Sequence, residues 1–88
     1  MRREFSIEFT RAADTALRRM PRDVALRIRE RLAGIAQDPY APHPNVTRLQ
    51  RNPGFRLRVG DWRVVYDVEG DRLIILVMRV GHRGDVYR

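Results

Sequence analysis

The stretch FRLRVGDWRVVY, residues 55–66, constrains the fold more than any other part of the chain. Two alternating runs flank Gly60-Asp61, and a glycine-first pair of this kind predicts a two-residue hairpin with a type II′ turn. The turn sets the register. Val59 faces Trp62, Arg58 faces Arg63, Leu57 faces Val64, Arg56 faces Val65 and Phe55 faces Tyr66. One side of the ribbon then gathers Phe55, Leu57, Val59, Trp62, Val64 and Tyr66, an apolar surface that needs a partner layer. The other side gathers Arg56, Arg58 and Arg63. Like charges placed opposite each other weaken a sheet by a few tenths to about 1 kcal/mol. Two readings answer that cost: carboxylates of neighbouring strands or solvent neutralise the arginines, or an anion occupies the face they line. Three guanidinium forks converging on one patch suit a phosphate.

The rest of the chain supplies the partner layer. EFSIEF at 4–9 alternates as a half-buried strand, with Phe5, Ile7 and Phe9 on one side. Thr10 is a suitable N-cap. From Arg11 to Met20 the residues Ala12, Ala13, Ala16, Leu17 and Met20 share one helical arc. Pro21 suits the first turn of a second helix. That helix carries Val24, Ala25, Ile28, Leu32, Ile35 and Ala36 in one stripe, has Leu26 as a misfit, and stops near Asp38. PYAPHPN at 39–45 holds three prolines and reads as an ordered connection rather than a helix or a ladder. VTRL at 46–49 and FRLRV at 55–59 are either one interrupted strand or two pieces around the turn-forming NPG at 52–54. EGD at 69–71 marks another turn, and RLIILVMRV at 72–80 has the apolar continuity of a strand inside a sheet. The order β-α-α-β-β-β predicts an α+β fold, an N-terminal strand and a helical hairpin packed on a small antiparallel sheet.

The 88 residues allow one domain, 1–88, and a chain of this size buries roughly 60–70% of its unfolded surface. LIILVM at 73–78 is far short of the roughly 20 apolar residues that span a bilayer. No apolar segment follows the basic N-terminus as in a secretory signal, and no cysteine argues for an oxidising compartment. A cytoplasmic protein without a membrane partner is the expectation. The 18 basic residues, all arginine, exceed the 11 acidic ones and leave +7. A GC-rich genome produces such a bias without functional cause. The chemistry follows regardless, because a guanidinium stays protonated and grips phosphate or carboxylate with two hydrogen bonds. The surface suits polyanions and acidic proteins.

The tail adds candidates. Arg79, Gly81 and Arg83 share one parity along the last strand, and Met78, Val80 and His82 share the other, so Arg79 and Arg83 join the arginine face if the strand is regular. Tyr87 follows beyond Gly84. A tyrosine beside a basic patch stacks on a base, serves proton transfer, or packs over the sheet edge. His82 has packing or hydrogen bonding as its plainer role, and His43, among prolines, is assigned none.

With G-D-aromatic-R-V-V-Y at 60–66 and V-G-H-R-x-x-V-Y at 80–87, the sequence resembles the RelE branch of the RelE/ParE toxins of bacterial type II toxin–antitoxin systems. The resemblance spans the whole chain, and the two motifs together carry most of it. It implies a small toxin that enters the ribosomal A site, beside 16S rRNA, cleaves the mRNA there and is neutralised by a cognate antitoxin. It implies an active site of Arg56, Arg58, Arg63, Arg83 and Tyr87, with Arg79 as a further RNA contact and no cofactor or metal. In the implied reaction the ribose 2′-hydroxyl attacks the adjacent phosphate, arginines stabilise the charge growing on the phosphoryl oxygens, and the 5′-oxygen leaves. A well-known family member has lysines where this chain has Arg56 and Arg58. Arginine does not deprotonate, so the base is Tyr87, His82, or no side chain at all. Two alternatives stand beside the nuclease: a ParE-like inhibitor of DNA gyrase without RNase activity, and a catalytically degenerate module that binds only antitoxin or RNA.

Overall fold

The computed structural model describes residues 4–82 of the chain. The elements are β1 (Ser6–Phe9), α1 (Arg11–Arg19), α2 (Arg22–Gln37), β2 (Val46–Arg48), β3 (Phe55–Val59), β4 (Trp62–Glu69) and β5 (Ile74–His82). The five strands form one sheet in the order β1-β5-β4-β3-β2, and the two helices cover one of its faces.

The helices form where the spacing puts them. Thr10 caps α1, its side chain accepting a hydrogen bond from the Ala13 N–H at 3.2 Å. Ala13, Leu17 and Met20 are buried, whereas Ala12 turns to solvent at the margin of the arc. Pro21 sits one position earlier than expected, as the residue before α2, and its carbonyl accepts from the N–H groups of Val24 and Ala25. Ile28, Leu32, Ile35 and Ala36 bury the stripe of α2, and Leu26 is exposed. Leu57, Val59, Val64, Tyr66, Ile75, Val77 and Val80 meet that stripe from the sheet, with Phe5, Ile7, Phe9 and Phe55 at the margin. Removing this apolar area from water is the main term holding the two layers together.

The α+β class holds, and the sheet is mixed rather than antiparallel. β1 runs parallel to β5, with Ile7 beside Ile75 and Phe9 beside Val77. The alternation of β1 identifies its buried side and carries nothing about its direction. The residues 46–49 and 55–59 belong to two strands. β2 is an edge strand antiparallel to β3, pairing Val46 with Leu57 and Arg48 with Phe55. The loop between them closes through the Leu49 N–H to the Gly54 carbonyl. Gly54 lies so near the Tyr66 carbonyl that a Cβ there would come within 2.8 Å of it, at a φ of +119° that also favours glycine.

The hairpin register is as the turn predicts, from Val59–Trp62 to Phe55–Tyr66. Gly60 has φ +58° and Asp61 has no positive φ, in keeping with a type II′ turn. One irregularity follows on the other side of β4. Val65 pairs with Arg79 and Tyr66 with Val77, so Met78 is an extra residue in β5, a β-bulge. The bulge reconciles two demands. Ile75, Val77 and Val80 all face the helices, and Arg79 still points to the opposite side. A regular strand would have turned Ile75 and Val77 outward.

Candidate functional site

On the side of the sheet away from the helices, strand pairing assembles two cross-strand rows. Thr47, Arg56, Val65 and Arg79 make the first, from β2 to β5. Asn45, Arg58, Arg63 and Gly81 make the second, Asn45 being placed by the hydrogen bond from the Arg58 N–H to its carbonyl at 2.9 Å. Gly81 adds no side chain, which leaves the β5 end of this row open. Asn45, Thr47, Arg56, Arg58 and Arg63 line a cleft of about 330 Å³.

The arginines of the second row are held by neutral oxygens. The Arg63 guanidinium donates through Nη1 to the carbonyls of Gly60, at 3.0 Å, and Trp62, at 3.1 Å. The Arg58 guanidinium donates through Nη2 to Oδ1 of Asn45 at 3.0 Å. The ion pairs Arg18–Asp14 and Arg72–Glu69 are both remote from the cleft in sequence and strand row. No described carboxylate neutralises Arg58 or Arg63. Both guanidinium groups face the space they line, a pattern of donors suited to the oxygens of a phosphate.

Of the candidate residues named from sequence, the structure brings Arg56, Arg58 and Arg63 into one cleft and puts Arg79 in the adjoining position beyond Val65. Arg83 and Tyr87 lie outside the described residues. His82 is not brought to the cleft. It pairs with Trp62, its ring 5.3 Å from the indole in an edge-to-face contact, and Trp62 points to the side opposite Arg63. His82, one of the groups named from sequence for the base, therefore lies on the side of the sheet away from the three arginines. Its parity with Val80 placed it on that side already. Asn45 and Thr47 were missed. Asn45 has φ +63°, a left-handed conformation for which asparagine is among the best non-glycine residues, and an Asn closing a proline-rich connection was the signal available.

Burial also singles out Tyr66, stacked on Phe55 with ring centroids 5.4 Å apart. Desolvation pushes its phenol up to about 12. It is a core residue, on the helix side of the sheet, and no part of the cleft.

Residues 7–87 match the family model of the ParE toxin of type II toxin–antitoxin systems, parDE. The chain belongs to the RelE/ParE superfamily of type II toxin–antitoxin toxins. Solved structures agree in fold. The toxin is similar to a chain of the RelBE2 toxin–antitoxin complex from Mycobacterium tuberculosis, with a TM-score of 0.76 at 21% identity over 92% of this chain and 100% of that one. It is similar to a chain of the archaeal RelE–RelB complex from Pyrococcus horikoshii, with a TM-score of 0.78 at 22% identity over 94% and 99%. It also resembles the YoeB/ParE toxin from Agrobacterium tumefaciens, with a TM-score of 0.76 at 15% identity over 90% and 99%. Identities this low establish the shared fold of the toxin and nothing finer. No curated protein sequence matches the toxin.

Proposed function

We propose that the toxin is an mRNA endoribonuclease that works on the ribosome, cutting RNA by attack of a ribose 2′-hydroxyl on the adjacent phosphate. The observation that carries this reading is the cleft in which Arg56, Arg58 and Arg63 converge, the last two anchored by uncharged oxygens rather than by carboxylates. As the 2′-oxygen bonds to phosphorus, negative charge grows on the non-bridging oxygens, and fixed guanidinium groups stabilise it more in the transition state than in the ground state. The bond to the 5′-oxygen then breaks, leaving a 2′,3′-cyclic phosphate and a 5′-hydroxyl. The described lining of the cleft supplies charge and no base: arginine does not release its proton, and asparagine and threonine have none to exchange near neutrality. Proton transfer falls to Tyr87 or to groups of the ribosomal A site, which would also hold the 2′-hydroxyl in line with the phosphorus. Arg79, beyond Val65 in the neighbouring row, extends the positive track for a flanking phosphate.

The partner we propose is a small antitoxin, encoded beside the toxin gene, whose acidic and apolar segment orders as it wraps the basic face. The toxin–antitoxin complexes among the similar structures support that reading.

A second reading is favoured by the family model, whose name is that of a ParE toxin: inhibition of DNA gyrase without RNA cleavage. One experiment separates the two. After induction of the toxin, transcript 5′ ends are mapped and plasmid supercoiling is measured in the same cells. New 5′ ends inside translated codons are the expected result. Loss of supercoiling with intact transcripts would overturn the nuclease.

A further inference from the structure

We infer that Asn45 is a positioning residue of the cleft, a neutral clamp that fixes Arg58 while leaving its charge for an anion; the inference rests on the reading of the cleft as a phosphodiester site. Three observations carry it. Asn45 grips Arg58 at two points, its carbonyl accepting from the Arg58 backbone N–H at 2.9 Å and its Oδ1 accepting from Nη2 of the guanidinium at 3.0 Å. Its backbone stands at φ +63°, which brings carbonyl and amide oxygen to the same neighbour. Asn45 itself lines the cleft, so any group placed there is within the field of the bound phosphate.

The choice of an amide matters because Arg58 is exposed. An exposed arginine side chain without an anchor samples many rotamers, and ordering it on binding costs about 0.5–1.5 kcal/mol. A carboxylate would anchor it more firmly but would cancel the charge. Asparagine removes the rotamer freedom in advance and leaves the cation whole. Arg63 has the same device by other means, with the carbonyls of Gly60 and Trp62 in place of the amide. Two of the three anchoring residues, Asn45 and Gly60, stand at positive φ.

Two variants separate the clamp from the charge. Asn45→Gly keeps a residue that tolerates the left-handed backbone and deletes the amide. Asn45→Asp keeps an oxygen for Arg58 and adds a negative charge. The ordering of Arg58 is read from the NMR order parameter of its Nε–H, which needs no ligand. Binding is read with a single-stranded oligonucleotide carrying 2′-O-methyl riboses, which cannot be cleaved, across a salt series. Arg58 should be at least as ordered in Asn45→Asp as in the wild type and loosened in Asn45→Gly. Affinity should fall about three- to tenfold in Asn45→Gly with an unchanged salt slope. It should fall further in Asn45→Asp, with the slope of log K against log salt reduced by about 0.7, one phosphate contact on a single strand. Unchanged order at Arg58 in Asn45→Gly would overturn the clamp. Wild-type affinity in Asn45→Asp, or equal losses in both variants at the same slope, would overturn the role of neutrality. A wild type that binds no oligonucleotide overturns the cleft as a phosphodiester site of the free toxin, ribosome-dependent cleavage being judged by the 5′-end mapping, and the Arg58 order parameter still judges the clamp.

Discussion

The two faces of the β3–β4 hairpin share one register and obey opposite rules. Toward the helices, Leu57, Val64 and Tyr66 are sealed from water and touch neighbours on every side. Toward solvent, Arg58 stands directly opposite Arg63, a pairing of like charges that costs the sheet, and Arg56 lines the same cleft. The inner face is what a fold of this size needs, because its apolar area is the largest stabilising term available. Nothing in folding calls for the outer face. The difference teaches where to look for function: in side chains whose arrangement opposes stability and whose anchors preserve their charge.

The sharpest way to break this contrast is to truncate one residue on each face. Arg63→Ala should lower mRNA cleavage by about 10²–10³-fold, the effect of deleting one preorganised group that stabilises transition-state charge, and relieve toxicity while the thermal midpoint stays within a few degrees. The same outcome is expected of Arg83→Ala on the nuclease reading. An Arg63→Ala protein that unfolds, or one that cleaves ribosome-bound mRNA at the wild-type rate, would show that the outer face serves the fold. Leu57→Ala is the mirror test. It should cost about 2–5 kcal/mol in denaturant unfolding, by lost burial and the cavity left behind, and the protein that remains folded should cleave normally.

Much of the inner face was legible in sequence, because period and turn chemistry are local. Gly60-Asp61 set the pairing of ten residues, and the stripe of α2 was visible down to the Leu26 misfit. What escaped was set by partners distant in sequence or by backbone geometry that alternation does not record. The direction of β1 depends on β5, nearly seventy residues on. β2 and β3 became separate strands because the loop from Leu49 to Gly54 closes on itself. In the site, the shared side of Arg56, Arg58 and Arg63 followed from the turn, whereas the part of Asn45 followed from a backbone angle that no periodicity encodes. His82 was named among the candidates although its parity with Val80 already pointed it away from them.

The inner face also has a titrating group, which sharpens the comparison from the other direction. Tyr66 has its phenol pushed up to about 12 by desolvation, against an ordinary value of 10. The neutral form is favoured in the folded protein, so this contribution to stability is full below pH 10 and is lost as pH rises toward 12. Denaturant unfolding at pH 8 and at pH 11.5 should therefore show a drop that Tyr66→Phe reduces. An equal drop in both proteins would mean that the phenol is wetter than its place in the core implies. The difference between the two drops is the part that reports the inner face.

The smallest effect is expected where the two faces are coupled, at the Met78 bulge. Without that extra residue, either Ile75 and Val77 leave the core or Arg79 leaves the outer face. Thr10 ties the bulge to α1: its hydroxyl donates to the Met78 carbonyl at 2.7 Å and accepts from the Ala13 N–H at 3.2 Å, and its own N–H donates to the Val77 carbonyl at 3.0 Å. Thr10→Ala removes both hydroxyl bonds and keeps the backbone one. A lost cap costs about 1 kcal/mol, and the Met78 carbonyl, left without its donor, adds a comparable amount if water does not reach it. Denaturant unfolding should show a loss of about 1–2 kcal/mol that Thr10→Ser largely restores, since serine supplies the same oxygen. Amide shifts should change near Met78 and remain in place at Arg58 and Arg63. Shifts that spread to both arginines would show that the bulge sets the geometry of the cleft as well as the parity of β5, and the two faces would then be one cooperative unit.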